Sequence, residues 1–227
     1  MAMLPYVSPE QLMKDRAEYA QKGISRGKSV IGLAYADGVV FVTENPSTTL
    51  HKVSEIYDRI AFAAVGRFNE FEQLRVAGIR IADVKGYQYA REDVTARSLA
   101  NAYATFLGSG FTESSKPFEV ELLVAEVLAD AVELYHVRYD GFITDESGFV
   151  VIGGKADAIS EAFARDFEQG LSLDEAVTRA QRALTGADAG QVEPARLEVA
   201  GLDRTRARRK FFRLSGERIA ELTGASS

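Results

Sequence analysis

The chain has 227 residues, 46% hydrophobic and 26% charged, the balance of a soluble globular protein long enough to bury a core without covalent staples. The absence of cysteine excludes disulfides, thiolate metal sites, CxxC redox chemistry and a cysteine nucleophile, and having only two histidines, His51 and His136, excludes a multi-histidine metal centre. A net charge of −6 and a pI of 5.2 disfavour a dedicated nucleic-acid binder, and no apolar run approaches a membrane span.

The N-terminal MAMLPYVSPEQ has neither a basic n-region nor an apolar h-region, so no secretory signal is read and the expected compartment is the cytoplasm. Residues 1–7 are irregular, broken by Pro5. A helix is predicted next over residues 8–22. Ser8 is its N-cap, Pro9 its first helical residue, Gln11 the partner in a capping box, and Val7 with Leu12 a hydrophobic staple. Met13, Ala17, Ala20 and Ile24 keep helical spacing, and Gly23 is the expected stop.

Strands follow. Residues 29–36 and 39–44 flank Asp37-Gly38, a strong hairpin signal, and residues 52–57 and 60–65 flank Asp58-Arg59. Two helices come next, one carrying Phe71, Leu74, Gly78 and Ile81, the other Leu99, Ala102, Tyr103, Phe106 and Leu107. A polar stretch, 112–116, leads to Pro117. Beyond it Phe118, Val120 and Leu122 alternate with Glu119 and Glu121, and residues 132–139 and 150–152 are β-rich. After Gly153-Gly154 a second helix pair is marked by Ile159, Phe163 and Phe167 and by Leu173, Ala176, Val177, Ala180 and Leu184. Residues 185–194 read as a loop, 197–203 and 210–214 as strands, and 216–222 as a last helix.

Helices therefore arrive in pairs between blocks of strands. That order disfavours a parallel βαβ sheet and suits antiparallel sheets covered by helix pairs, an α+β fold built as a four-layer α-β-β-α sandwich. No internal linker or fixed-period repeat interrupts it, so residues 8–223 read as one domain, between a tail of residues 1–7 and a disordered tail of residues 224–227.

The ordered set of segments from Ser8-Pro9-Glu10-Gln11 to Gly23, Ser29-Val30-Ile31-Gly32 to Asn45, Ile60 to Gly66, Lys116-Pro117-Phe118-Glu119 to Ala125, and Tyr139-Asp140-Gly141 to Gly153-Gly154 resembles the proteasome α subunits, specifically the actinobacterial type. The resemblance spans residues 8 to about 214 and implies the N-terminal nucleophile hydrolase fold. Catalytic members of that superfamily expose an N-terminal threonine whose hydroxyl attacks the peptide carbonyl while its own amine takes the proton. By register to Ile31-Gly32 the nucleophile's place falls near Lys28, which has no hydroxyl and follows 27 residues; Glu44 falls near the catalytic aspartate, and His51 or Lys52 near the catalytic lysine. No catalytic residue is therefore assigned, and cleavage before Ser29 is the route by which activity could return.

The α type implies a homo-heptameric ring stacked on β subunits that cut proteins, under an ATPase ring that unfolds tagged substrates, with no cofactor, metal, membrane or nucleic acid. Residues 8–22, on their own an ordinary surface helix, would lie on the outer ring face. Met1, Met3, Leu4, Pro5, Tyr6 and Val7, on their own a frayed terminus, would form the gate, with Pro9 and Tyr19 matching two members of its cluster; the Tyr-Asp-Arg gate motif of archaeal and eukaryotic members is missing. Lys52, otherwise an exposed strand lysine, would bind the C-terminal carboxylate of an activator tail. Lys116, Pro117 and Phe118, otherwise a plain strand entrance, would form the annulus that admits only unfolded chains. A competing feature is the basic run Arg204, Arg206, Arg208, Arg209, Lys210 and Arg213 interleaved with Phe211 and Phe212, which has the make-up of a nucleic-acid stripe; the net charge of −6 and the lack of a recognition motif favour instead a solvated strand edge or a basic patch facing an acidic subunit neighbour.

Overall fold

Ser8 caps the first helix, α1 (Pro9–Ile24), its hydroxyl accepting from the Gln11 amide at 3.2 Å with Pro9 at the first helical position. The computed structural model describes residues 8–188 and 192–224. The expectations for Met1, Met3, Leu4, Pro5, Tyr6 and Val7, for the staple that uses Val7, and for residues 225–227 lie outside the described residues. The capping box is only half made, because the Gln11 side chain turns forward to Asp15 (2.6 Å). Gly23 does not stop the helix, which continues to Ile24 and is capped by Ser25. It is a close-approach site instead: a Cβ there would stand 2.0 Å from Glu119 Oε2.

The first hairpin joins β1 (Val30–Tyr35) to β2 (Gly38–Glu44), but its two loop residues are Ala36 and Asp37, one position earlier than the Asp37-Gly38 signal suggests, since Gly38 already pairs with Tyr35. Gly38 is needed for space, not for turning: a Cβ would meet the Leu202 carbonyl oxygen at 1.9 Å. The second hairpin joins β3 (Val53–Tyr57) to β4 (Ile60–Gly66). Helices α2 (Phe68–Gln88) and α3 (Ala96–Glu113) follow, the latter capped by the Thr95 hydroxyl. Then come β5 (Val120–Val127), β6 (Val132–Val137), β7 (Ile143–Asp145), β8 (Phe149–Ile152), α4 (Ala156–Ala164), α5 (Leu173–Asp188), β9 (Leu197–Asp203), β10 (Phe211–Arg213) and α6 (Gly216–Leu222).

Three of these depart from expectation. Strand β7 was not read, being too short at three residues to show alternation; its pairing with β6 defines it. Helix α4 ends at Ala164, leaving Phe167 outside, although its ring still packs on Phe149 and Phe163 at 5.1 and 5.9 Å. Helix α5 runs through to Asp188, past the loop start read at Thr185.

The strands form two five-stranded antiparallel sheets, ordered β10-β9-β2-β1-β8 and β3-β4-β5-β6-β7. Their inner faces meet in one core, with Val39, Phe41, Ala200 and Leu202 from the first sheet against Ala61, Ala63, Leu123 and Ala125 from the second. The alternate residues point outward. Phe62, Leu122 and Val124 pack under α2 and α3, and Ile31, Leu33, Val40 and Val42 under α4 and α5. Strand β2 is thus buried on both faces, which is why its apolar residues run on without alternating. The result is the expected four-layer α-β-β-α sandwich. Helix α1 lies outside the layers and closes one end, inserting Ala20 and Ile24 into the core between the sheets. Among the described residues no helix is long and apolar enough to cross a membrane.

Candidate functional site

At the end of the sandwich beside α1, the loop from Asn45 to Lys52 is wound by its own side chains. Asn45 Oδ1 accepts from the Ser47 amide (3.1 Å), the Ser47 hydroxyl from the Leu50 amide (3.0 Å), and Asn45 Nδ2 donates to the Leu50 carbonyl (2.7 Å). Glu198 on β9 then fixes the start of β3. Its carboxylate accepts from the Lys52 and Val53 amides at 3.0 and 3.2 Å and from Asn45 at 2.6 Å, and it pairs with Arg213 at 2.5 Å. Nothing in the local sequence announced Glu198, which sits 146 residues from Lys52.

So anchored, Lys52 sends its ammonium inward. Nζ donates to the Lys28 carbonyl (2.9 Å), the Glu44 carbonyl (3.1 Å) and the Thr43 hydroxyl (3.3 Å). Lys28 in turn pairs with the Glu44 carboxylate at 2.7 Å. Lys28, Glu44 and Lys52, brought to one point from β1's approach, β2's end and β3's start, are the three residues that register had aligned with nucleophile, aspartate and lysine. His51, the other candidate for the lysine's place, turns instead to Glu198 at 3.5 Å. Burial pushes the Lys52 ammonium down to about 8; Glu198 and Glu44 resist that fall and Lys28 adds to it. A cavity of about 290 Å³ opens beside the cluster, lined among others by Arg26, Lys28, Glu44 and Lys155. Chemically the arrangement lacks both parts of an acyl-transfer nucleophile, because the nitrogen of Lys28 is a peptide amide and its side chain has no hydroxyl.

Across α1 lie the residues assigned to the gate and the annulus. Pro9 is exposed at the start of α1, and Tyr19 is half-exposed at 49%. The Lys116 ammonium stands 5.7 Å from the Tyr19 ring centroid and pairs with Glu70 at 2.6 Å and Glu119 at 2.9 Å. Burial works against that charge, but Glu119 and Glu70 outweigh it and raise the Lys116 pKa. Pro117 is buried, and the Phe118 ring rests on Phe106 at 5.3 Å. The site residues expected from the sequence thus fall into two groups, the inward Lys52 cluster and the segment around Lys116.

Residues 24–200 match the family model for the proteasome subunit. The chain belongs to the proteasome subunit family. It is similar to proteins named proteasome subunit alpha in Kineococcus radiotolerans (58% identical over 228 residues, 96% of each chain), in Saccharopolyspora erythraea (58% over 226 residues, 98% of this chain and 88% of the relative) and in Mycolicibacterium vanbaalenii (56% over 225 residues, 96% and 89%). The resemblance to actinobacterial proteasome α subunits therefore holds over nearly the full length.

Within the proteasome fold the basic run 204–213 closes a hairpin. Arg204 donates to the Ala129 carbonyl (3.2 Å), Arg206 to the Phe211 carbonyl (2.7 Å) and Lys210 to the Arg204 carbonyl (2.7 Å), while Arg209 pairs with Glu55 (2.5 Å) and Arg213 with Glu198. Phe211 is buried between the sheets and Phe212 packs toward the helices. Five of the six basic residues in the run thus make internal ties, and Arg208 stays exposed on the surface.

Proposed function

We propose that this chain is the non-catalytic, gating subunit of a proteasome core particle. Seven copies form a ring stacked on β subunits that carry the threonine nucleophile, in the cytoplasm. The ring admits unfolded proteins and docks an ATPase ring through its C-terminal tails. The observation that carries this reading is the occupant of the nucleophile's place. Lys52 and Glu44 surround Lys28, whose carbonyl takes up the Lys52 ammonium and whose nitrogen is tied in a peptide bond.

The same geometry supports a docking role for Lys52. Its three acceptors are all neutral oxygens, so an incoming terminal carboxylate offers a stronger, charge-assisted partner. Residues 1–7, with Pro9 and Tyr19, form the gate. Lys116, Pro117 and Phe118 form the annulus, a reading supported by the packing of Lys116 on Tyr19 of α1 and of Phe118 on Phe106 of α3.

Native mass spectrometry of the complex purified through a tag on this chain tests the reading. Equal numbers of this chain and of a partner beginning with threonine, in multiples of seven, are expected. A homo-oligomer truncated before Ser29, or a monomer carrying nucleic acid, would overturn it.

A further inference from the structure

One face of α1 does work that neither gate nor docking requires. Arg16, Tyr19 and Gly23 lie at i, i+3 and i+7, on a single helix face. The Arg16 guanidinium reaches the C-terminus of α3, donating from Nε to the Phe111 carbonyl (2.6 Å) and from Nη2 to the carbonyls of Ser114 (2.5 Å) and Gly110 (3.3 Å). Its plane also stands 5.9 Å from the Phe111 ring centroid.

Helix α3 has no basic residue in its last turn, which holds Glu113 instead. Its unpaired carbonyls and negative dipole end are answered by a cation from another helix. The segment leaving that helix is then held a second time. Lys116 pairs with Glu70 and Glu119 and lies against the Tyr19 ring, and Glu119 fills the space that Gly23 leaves on α1. The Ser114 hydroxyl bridges the two ties by donating to the Lys116 carbonyl at 2.8 Å.

We propose that Arg16 and Lys116 are the positioning residues of the pore constriction, fastening segment 114–118 to α1 so that helix and constriction move as one body. The inference rests on reading Lys116, Pro117 and Phe118 as the annulus. Its consequence is that an activator shifting α1 on the outer face also resets the width of the channel inside.

The test uses the complete complex of this chain with its β partner, carrying Arg16→Gln, Arg16→Lys or Lys116→Gln. Two quantities are read. One is amide hydrogen exchange over residues 109–118. The other is the rate at which an unfolded polypeptide is degraded, relative to the same polypeptide widened by an internal disulfide. Arg16→Gln should speed exchange about tenfold in that segment and raise relative degradation of the widened substrate several-fold, with Arg16→Lys restoring part of both. A role in stability alone would leave the width ratio unmoved. Unchanged exchange over 109–118 in both Gln variants overturns the proposal. Faster exchange with an unchanged width ratio leaves Arg16 and Lys116 a role in local stability alone and removes the annulus assignment on which the proposal rests. If Arg16→Gln fails to assemble, Lys116→Gln, which leaves the cap on α3 intact, answers with the same two readings.

Discussion

The Glu198 carboxylate lies 3.0 Å from the backbone amide of Lys52, so a residue of the first sheet decides where the first strand of the second sheet begins. Glu198 is itself buried, and it gathers the Val53 amide, the Asn45 side chain and the Arg213 guanidinium into one network. Removing it strands the Lys52 and Val53 amides and leaves Asn45 and Arg213 with one backbone carbonyl each, Leu50 and Val53. Glu198→Ala is expected to cost about 3 kcal/mol of unfolding free energy, the range for breaking a buried charged network by one partner. Urea unfolding of the purified chain measures it; a loss within experimental error would show that the network carries no stability.

Lys52→Ala is expected to abolish stimulation by an activator tail while leaving basal peptide cleavage by the complex intact. Lost basal cleavage would point to misassembly.

The Lys52 charge also sets a pH dependence. Its folded-state value of about 8 lies below the ordinary lysine value of 10.5, so between those limits the unfolded chain binds more protons and stability rises with pH. Docking runs the other way. A carboxylate tail needs the ammonium, so affinity for a tail peptide should fall as pH rises through about 8, the value of the unliganded protein, and level off at the higher value that the bound carboxylate imposes. Lys52→Arg, which stays charged, should flatten that profile in a fluorescence titration; a wild-type profile already flat would remove Lys52 from the docking contact.

His136 on β6 is a second titrating group, facing a cavity of about 630 Å³ between α1 and α4. Burial, aided by Arg138, pushes its imidazole down to about 4, while Asp140 resists. The carboxylates of Glu121 and Glu146, at 4.0 and 3.9 Å, stand close enough to favour charge, yet Glu121 is itself raised by burial and takes up protons early. The folded value is below the ordinary 6.5, so the unfolded chain binds more protons between pH 6.5 and 4 and stability falls as pH drops through that window. The loss attributable to His136 is about 3 kcal/mol at most. His136→Gln should remove that part of the slope when unfolding is followed from pH 7 to 4.

Removing residues 1–7 should raise turnover of short peptides by the complex without altering that of its β subunits alone. Equal turnover before and after truncation would sink the gate assignment.

The local grammar of the chain was legible wherever a single element decides its own structure. Ser8 and Pro9 start α1, and the spacing of Leu99, Tyr103 and Phe106 places them on α3. The apolar residues Val120 and Leu122 after Pro117 fall in β5, although Phe118 and Glu119 precede it, and the pairing of helices between strand blocks gave the sandwich. Signals shared between neighbours were misplaced by a residue or two. Gly38 and Gly23 read as a turn and a stop, but their missing side chains make room for Leu202 and Glu119, which are remote in sequence.

Composition, helix caps, strand periodicity and the absence of a hydroxyl at Lys28 are properties of the sequence itself, because each depends on a residue and its near neighbours. Tertiary structure alone decided that Lys52 turns inward to the Lys28 carbonyl, that Glu198 anchors it across 146 residues, and that Arg16 caps a helix more than ninety positions away. Hydrogen bonds and ion pairs of that kind are set by the close approach of β9 to β3 and of α1 to α3. Only burial of the shared core brings those segments together, and no local pattern in a chain encodes which distant partner a buried polar group will meet.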